Sequence, residues 1–152
     1  EHRMEFVCKA GNVSFYNDSA STNPHTTAAA LKSFLGKNVA LIAGGVDKGL
    51  DYEPVFKEIS SLFKRHEIKS VILIGENKNK IRTAIEKVPV RIVEAVTLEE
   101  AVAHALKDLR QTHGEGVVLF SPGAASFDMF LNYADRGEKF RRIARKICGA
   151  NY

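Results

Sequence analysis

Short apolar runs alternate with longer amphipathic stretches along most of this chain. The runs occupy residues 39–43, 71–74, 90–93 and 117–120, and each is short and apolar enough to predict a buried strand. Between the runs, apolar residues recur at helical spacing, which predicts helices with one buried face. Strands that alternate with helices need crossover connections, which favour a mainly parallel sheet flanked by helices on both faces. We therefore predict an α/β, Rossmann-like fold.

The start of the chain follows a different pattern. Residues 4–10 and 12–16 flank the pair Gly11-Asn12, a two-residue turn signal that predicts an N-terminal antiparallel β-hairpin at the edge of the sheet. A polar loop comes next. Asn23 is then suited to cap a helix whose first position is Pro24, because a missing N–H costs nothing there.

Residues 117–133 carry the strongest local signal for a site. The buried run ends at Ser121-Pro122-Gly123. Ser126 then predicts a helix N-cap, because Phe127 and later apolar residues follow at helical spacing. A helix N-terminus has unpaired N–H groups and a positive dipole end, which suit a carboxylate or a phosphate. A capped helix without a ligand has the same pattern, so the spacing alone leaves both interpretations open.

Composition narrows the class of protein. The chain has 152 residues, enough for one good core, and a formal net charge of +4. Basic residues of the last predicted helix lie beside apolar ones, which favours a solvated helix face over a nucleic-acid surface. No apolar run is long enough to cross a bilayer. Cys8 and Cys148 show no metal-ligand spacing, and we expect both to be reduced in a cytoplasmic protein.

Polar loops are expected to meet at one edge of the sheet, because parallel strands all end on the same side. The loops cover residues 18–23, 44–49 and 121–126. From them, Thr22, Lys48 and Ser126 would offer two hydroxyls and an ammonium group to an anion. Simpler interpretations are a solvated loop lysine and hydroxyls that only complete turns or caps. Asp18 is a candidate for a ribose or an ammonium group, or else it closes an Asx-turn.

Several common catalytic patterns are missing from the sequence. Residues 44–49 are glycine-rich, but they lack the spacer and the Gly-Lys-Ser or Gly-Lys-Thr ending of a phosphate-binding P-loop. The five histidines show no metal-ligand spacing, so we predict no metal site. No serine or cysteine lies in a nucleophile motif. The pattern favours a chain that binds an anion and holds no catalytic residue of its own.

Three ordered motifs resemble those of one enzyme family. They are Asn17-Asp18-Ser19 with Thr22-Asn23-Pro24; Gly44-Gly45 with Lys48-Gly49 and Asp51-Tyr52; and Ser121-Pro122 with Ala125-Ser126-Phe127-Asp128, Phe130, Asn132-Tyr133 and Arg136-Gly137. In this order and at these separations they resemble the C-terminal domain of the Mur ligases. The last motif is most similar to the members that add D-glutamate. Because the resemblance covers nearly the whole chain, residues 1–152 are expected to form a single, amino-acid-binding domain.

The resemblance implies an ATP-dependent amide-bond ligase of peptidoglycan synthesis. In that reaction ATP phosphorylates the carboxylate of UDP-MurNAc-L-alanine, and the amine of D-glutamate displaces phosphate from the acyl phosphate. The family holds its P-loop and Mg²⁺ ligands in a central domain that is missing here, as is the domain for the UDP sugar. A chain that opens at Glu1 without methionine is therefore expected to be cut from a three-domain parent and to be inactive alone. We expect a cytoplasmic monomer without nucleic-acid or membrane partners.

The resemblance also implies roles for individual residues around D-glutamate. Lys48 and Ser126 would hold the side-chain carboxylate of the amino acid. Thr22 and the backbone amide of Phe127 would hold its α-carboxylate, and Tyr133 would line the pocket. The same residues include the hydroxyls and the ammonium group that the loop pattern predicts to meet.

The resemblance also implies two nucleotide contacts, and this chain departs from the family pattern at one position. By the same resemblance, Asp18 would contact the ATP ribose, and Arg3 would lie near the nucleotide phosphates. Many relatives have a lysine where this chain has Ala20, so the anion contacts of that lysine are absent or replaced here. Two alternatives stay open. One is another amino acid in a Mur or folylpolyglutamate-type ligase, and the other is an α/β binding module without enzyme activity.

Overall fold

A computed structural model describes residues 1–149 and places six strands in one sheet. The strands are β1 (Glu5–Ala10), β2 (Val13–Asn17), β3 (Asn38–Ala43), β4 (Ile68–Leu73), β5 (Ile92–Glu94) and β6 (Gly116–Phe120). Their order across the sheet is β1-β2-β6-β3-β4-β5. β1 and β2 form an antiparallel hairpin at one edge, and every other pairing is parallel. The predicted α/β class and the N-terminal hairpin are therefore confirmed.

Helices cover both faces of the sheet, as predicted. They are α1 (Pro24–Lys32), α2 (Glu53–Lys64), α3 (Lys78–Ile85), α4 (Leu98–Arg110) and α5 (Tyr133–Gly149). Successive side chains of a strand point to opposite faces, so Leu41 packs in the cluster with α1, α2 and α3, whereas Ile42 packs with α4 and α5. This division explains why the buried strands are apolar at nearly every position.

The predicted N-cap at Asn23 is confirmed. The Asn23 side chain accepts a hydrogen bond from the Thr26 amide at 3.1 Å, and Pro24 occupies the first turn of α1. The predicted strand at residues 90–93 is shorter and slightly displaced, since β5 spans Ile92–Glu94. Within residues 1–149, no helix combines the length and apolar character that a bilayer span requires.

The predicted helix N-terminus at Ser126 is wrong. Residues 121–132 form turns, and α5 begins only at Tyr133. Asn132 acts at that boundary, where its side chain accepts the Asp135 amide at 2.8 Å. The apolar spacing misled the prediction because these side chains do not share one buried face: Phe130 packs against the core, whereas Phe127 is 66% exposed and Leu131 is 80% exposed.

The two cysteines are paired, so the prediction that both are reduced is also wrong. Cys8 of β1 and Cys148 of the last turn of α5 form a disulfide across a Cα–Cα distance of 6.3 Å. They lie 140 residues apart in the chain. They meet because α5 packs against β1, on the face of the sheet that α4 also covers. The sequence showed only two distant cysteines and gave no sign of this contact.

The basic face of α5 is solvated only in part. Arg142 has a side chain that is 74% exposed, which agrees with the predicted solvated face. Arg141 differs, because its side chain is only 15% exposed and lies within salt-bridge distance of Glu1, Glu5 and Glu138. The helix therefore uses one of its cations to hold the N-terminal segment.

Candidate functional site

The loops that follow β2, β3 and β6 meet at the carboxyl edge of the sheet. Their backbones bond directly: the Gly44 amide donates to the Pro122 carbonyl and the Val46 amide to the Ala125 carbonyl, both at 2.9 Å. The Gly123 amide donates to the Ser21 carbonyl at 2.9 Å. The meeting follows from the strand order, because β6 lies between β2 and β3. The predicted convergence of these loops is confirmed.

Glycine is needed where the second and third loops touch. A Cβ on Gly45 would overlap the Ala125 carbonyl oxygen. Gly44 has φ of 122° and lies against the Ile74 carbonyl, so it also has no room for a side chain. Glycines in a loop can allow a ligand to approach the backbone closely. In the structure, the close approach is to neighbouring backbone.

Lys48 projects from the second loop toward the third. The residue is exposed, and its Nζ lies 5.8 Å from the ring centroid of Phe127, within cation–π range. Asp47 anchors the same loop, because its amide donates to the Glu76 carboxylate at 3.1 Å and its carboxylate accepts the Gly49 amide at 3.0 Å. The Gly49 amide, with help from the charge of Lys80, lowers the pKa of the Asp47 carboxyl despite some desolvation.

Ser126 and Phe127 keep polar groups unused. Ser126 is only 2% exposed, yet its hydroxyl makes no hydrogen bond to any group within residues 1–149. The Phe127 amide likewise has no acceptor in this described part of the chain. The buried side-chain atoms without a partner in the described part of the chain are Ser70 Oγ and Arg141 Nε, so the Ser126 hydroxyl is within reach of solvent and of a ligand. The loop therefore presents two donors beside the ammonium group of Lys48.

Thr22 and Tyr133 flank these donors on neighbouring segments. Thr22 is exposed and follows Ser21, the residue bonded to the third loop. Tyr133 is 47% exposed at the start of α5, and its carbonyl accepts the Ser19 hydroxyl at 2.7 Å. Its ring meets His2 edge to face at a centroid distance of 6.3 Å. Both residues border the edge where the loops meet.

Asp18 is buried in a network of hydrogen bonds. It is 1% exposed; one carboxylate oxygen accepts the Met4 amide at 3.0 Å, and the other accepts the hydroxyls of Ser121, at 2.7 Å, and Ser21. Asp18 thus joins the N-terminal segment to two loops. The Asx-type bond of this loop is made by Asn17 instead, whose side chain accepts the Ser19 amide at 3.1 Å.

Arg3 and Asp18 share a small cleft at this side of the molecule. The cleft has a volume of about 160 Å³ and is also bordered by Met4 and α1. Arg3 is exposed, so its guanidinium faces solvent, whereas Asp18 lies at the base of the cleft. The two residues predicted to contact a nucleotide therefore lie together, some way along the edge from Lys48.

Arg136 was missed as a site residue by the sequence reasoning. Its guanidinium is fully buried and donates to the Ser19 hydroxyl at 2.9 Å, the Ser19 carbonyl at 2.7 Å and the Ala124 carbonyl at 2.8 Å. Burial lowers its pKa to about 10, partly offset by the carboxylate of Asp128. A usable signal was present: Arg136 is four residues before Phe140, on the apolar face of α5.

Asn77 and Tyr52 were missed as well. Asn77 is 2% exposed and comes from the loop after β4, which was not among the predicted site loops. Its Nδ2 donates to the Tyr52 hydroxyl at 2.7 Å, and that hydroxyl donates to the Gly123 carbonyl at 2.9 Å. Burial raises the pKa of Tyr52 to about 12. In the sequence, Tyr52 stood in the second of the three motifs, with no role assigned to it.

The residues at this edge differ in how well they suit a metal ion and an anion. Within residues 1–149, no group of three or more His, Cys, Asp or Glu side chains is placed to hold a metal ion. The donors that do converge are hydroxyls, backbone amides and an ammonium group, which suit carboxylates or phosphates. The chemistry of these donors therefore suits an anion at this edge.

Comparison with known proteins places this geometry in a family. The profile of the Mur ligase, glutamate ligase domain matches residues 2–123. The chain is 42% identical over 150 residues to a UDP-N-acetylmuramoylalanine–D-glutamate ligase of Geotalea daltonii, covering 99% of the chain and 31% of that protein. It is 43% identical to the same-named ligase of Bdellovibrio bacteriovorus, with coverage of 96% and 29%. The chain thus spans about a third of the length of the curated relatives that it matches.

Solved structures agree on the fold. A murein peptide ligase from Psychrobacter arcticus aligns with a TM-score of 0.61 at 11% identity, covering 99% of this chain and 30% of that one. MurF from Acinetobacter baumannii aligns with a TM-score of 0.57 at 16% identity, covering 97% and 30%. These likenesses concern architecture, whereas the profile match covers most of the sequence. The chain belongs to the Mur ligase family, within its glutamate ligase domain.

Proposed function

We propose that this chain is the amino-acid-binding domain of an ATP-dependent ligase that adds D-glutamate to UDP-MurNAc-L-alanine in peptidoglycan synthesis. The observation that carries the proposal is the cluster of unused donors at the loop edge. The Ser126 hydroxyl and the Phe127 amide have no partner within residues 1–149, and Lys48 lies beside the Phe127 ring. Relatives that share 42 and 43% of the sequence are named as D-glutamate ligases, which supports the choice of amino acid.

The donors match an amino acid with two carboxylates. In the proposed arrangement, Lys48 and Ser126 bind the side-chain carboxylate of D-glutamate. Thr22 and the Phe127 amide bind its α-carboxylate, and Tyr133 lines the pocket. Charge-assisted hydrogen bonds of this kind contribute about 1.5–3 kcal/mol each, so a few of them suffice to orient a small amino acid. Holding both carboxylates leaves the amine free to point away from the domain.

The amine then reacts outside this domain. ATP transfers its terminal phosphoryl group to the carboxylate of UDP-MurNAc-L-alanine, which gives an acyl phosphate and ADP. The neutral amine of D-glutamate attacks the acyl carbon, and the tetrahedral intermediate collapses to the amide with loss of phosphate. The part played here by this chain is positioning, because a fixed amine reaches the acyl carbon without a search for orientation.

The nucleotide contacts proposed for this chain are few. Arg3 would lie near the phosphates, and Asp18 would approach the ribose from the cleft that the two residues share. The Asp18 carboxylate accepts three hydrogen bonds at present, and its Oδ1, which has a single donor, keeps a lone pair for a ribose hydroxyl. Mg²⁺ would be held mainly by the central domain of the parent protein.

We further propose that the chain is a single domain of a three-domain parent and is inactive by itself. The length relation supports this, since the chain covers only 31% of a relative that it otherwise matches along 99% of its own length. The parent is proposed to be a cytoplasmic monomer. Ala20 is the one position at which an expected anion donor is missing, and Arg136 lies too deeply buried to replace it.

Phosphate release by the full-length protein tests the proposal. The protein is supplied with ATP, Mg²⁺ and UDP-MurNAc-L-alanine, and D-glutamate, L-glutamate, L-lysine and diaminopimelate are added in turn. Release that requires D-glutamate is the expected result. Release with another amino acid would keep the ligase chemistry and reject the substrate. A protein that releases phosphate with none of the four would leave a binding module as the better description.

A further inference from the structure

The loop that carries Lys48 is held at both of its ends by one side chain. At the entrance, Gly45 and Asn77 exchange two hydrogen bonds: the Gly45 amide donates to Asn77 Oδ1 at 2.8 Å, and the Asn77 amide donates to the Gly45 carbonyl at 3.0 Å. At the exit, Asn77 Nδ2 donates to the Tyr52 hydroxyl at 2.7 Å. The side chain of Asn77 therefore closes the six residues 46–51 into a clamped loop.

Tyr52 links Asn77 to the loop that carries Ser126. Its hydroxyl accepts from Asn77 and donates to the Gly123 carbonyl at 2.9 Å. Asn77 and Tyr52 are 2% and 4% exposed, so water does not compete for these bonds. Each polar side-chain atom of the pair thus has a protein partner, and the relay spans Gly45 to Gly123.

The loop after β4, which carries Asn77, also makes a second bridge through the exposed residue Glu76. The carboxylate of Glu76 accepts the Asp47 amide at 3.1 Å, and the amide of Glu76 donates to the carboxylate of Asp128 at 2.8 Å. Asp47 adjoins Lys48, and Asp128 adjoins Phe127 in the sequence. The loop after β4 therefore contacts both ligand-bearing loops, although it supplies no proposed ligand contact itself.

We propose that Asn77, acting through Tyr52, is a positioning residue that fixes Lys48 relative to Ser126 and so sets the affinity for the side-chain carboxylate of D-glutamate. This inference rests on the proposed function, because it assigns a cause to the geometry of that same site. Two donors on separate flexible loops would bind a carboxylate weakly, since ordering both loops would reduce the affinity. The relay orders them before the ligand arrives.

The deciding variant is Tyr52→Phe in the full-length protein. It removes only the hydroxyl and keeps the ring in the core, so the fold is retained. We expect the KM for D-glutamate to rise at least fivefold, while kcat at saturating D-glutamate and the KM for ATP change less than twofold. Uniform loss of ground-state and transition-state binding produces this split. Tyr16→Phe is the matched control, because Tyr16 lies in β2, packs against Phe34 and belongs to no site loop.

Asn77→Ala tests the same relay from its other end. It is expected to raise the same KM, and the double variant Asn77→Ala/Tyr52→Phe is expected to fall well short of the product of the two single effects. Non-additivity of this kind marks residues that act through one another. Asn38→Ala is the control for loss of an amide, since Asn38 bonds to the His113 carbonyl at the opposite edge of the sheet.

Hydrogen exchange separates this inference from the function on which it rests. Peptides that cover residues 44–52 are followed in the full-length protein without ligand. Faster exchange in Tyr52→Phe, with no change in Tyr16→Phe, supports the clamp whatever amino acid the enzyme uses. An unchanged KM for D-glutamate together with unchanged exchange would overturn it. A wild-type protein that ignores D-glutamate would reject the proposed function instead.

Discussion

Arg136 donates from Nη1 to the carbonyl oxygen of Ala124 at 2.8 Å, and this bond ties the first turn of α5 to the loop that carries Ser126. The guanidinium is fully buried and satisfies three acceptors, two of them on Ser19. A buried cation without hydrogen bonds would lower the stability of the fold. This guanidinium instead donates to the buried carbonyls of Ser19 and Ala124. Arg136 thus holds two of the site loops against the start of α5.

Replacing Arg136 with leucine is expected to lower the free energy of unfolding by about 2–4 kcal/mol, because the Ser19 and Ala124 carbonyls would lose their donors. Urea denaturation measures the change. Arg145→Leu is the matched control, since Arg145 is exposed on the same helix, and it is expected to stay within about 0.5 kcal/mol of wild type. Equal effects of the two substitutions would show that the buried guanidinium does not stabilise these loops.

The parts of the fold that were predictable depend on local periodicity. Residues 39–43 are apolar throughout, and β3 spans Asn38–Ala43 as that pattern requires. The hairpin followed from Gly11, whose φ of 62° suits a tight turn. The meeting of the loops at one edge followed from parallel strands, before any side-chain contact was known. Such features depend on a few neighbouring residues.

The features that escaped prediction depend on distant partners. Arg136 is buried because Ser19 and Ala124, from two other segments, offer it carbonyl oxygens. The spacing around Ser126 is that of a helix, but backbone bonds to the second loop hold the segment in turns. Cys8 meets Cys148 only once α5 has packed on β1. No periodicity in the sequence reports contacts of this kind.

Lys48→Ala is expected to raise the KM for D-glutamate in the full-length protein by more than tenfold, which corresponds to about 1.4 kcal/mol of lost binding. The reason is that the ammonium group of Lys48 lies 5.8 Å from the ring centroid of Phe127, on the side of the loop that carries the unused donors. Lys37→Ala is the control, because Lys37 is an exposed lysine before β3, at the other edge of the sheet. Kinetics that match the control would remove Lys48 from the site.

Glu67 is expected to stabilise the fold in a pH-dependent way. A hydrogen bond from Arg65 at 2.7 Å lowers the pKa of the Glu67 carboxyl from 4.5, with further help from the Gly36 amide at 2.6 Å. Because the folded-state pKa lies below the unfolded value, the stabilisation is present above pH 4.5 and is lost as the pH falls through the folded-state pKa.

Urea midpoints of wild type and Glu67→Gln measure this contribution at pH 7 and at pH 3. The difference between the two proteins is expected to be largest at pH 7 and to shrink at pH 3, because the Glu67 carboxyl of the unfolded chain, with a pKa of 4.5, is protonated there. Glu86→Gln serves as the control, since Glu86 is exposed at the end of α3. A difference that is the same at both pH values would mean that the ionised carboxylate adds nothing.

The disulfide between Cys8 and Cys148 is expected to contribute about 2–5 kcal/mol to stability, because it closes a loop of about 140 residues and so restricts the unfolded chain. Reductant should therefore lower the melting temperature of wild type by several degrees. The variant Cys8→Ser/Cys148→Ser is expected to melt at the temperature of reduced wild type and to ignore reductant, which excludes a general effect of the reagent.

The state of the Cys8–Cys148 disulfide can also be measured in cells. A proposed cytoplasmic location predicts a reducing environment, whereas the geometry brings the two thiols together as a disulfide. Rapid alkylation of cells, followed by mass spectrometry of the peptides that contain Cys8 and Cys148, counts the free thiols. A paired population would mean that burial, at 6% exposure for each residue, protects the bond from cellular reductants. Complete alkylation would show that both thiols are free in cells, and the stabilisation by the disulfide would then apply only to the oxidised protein.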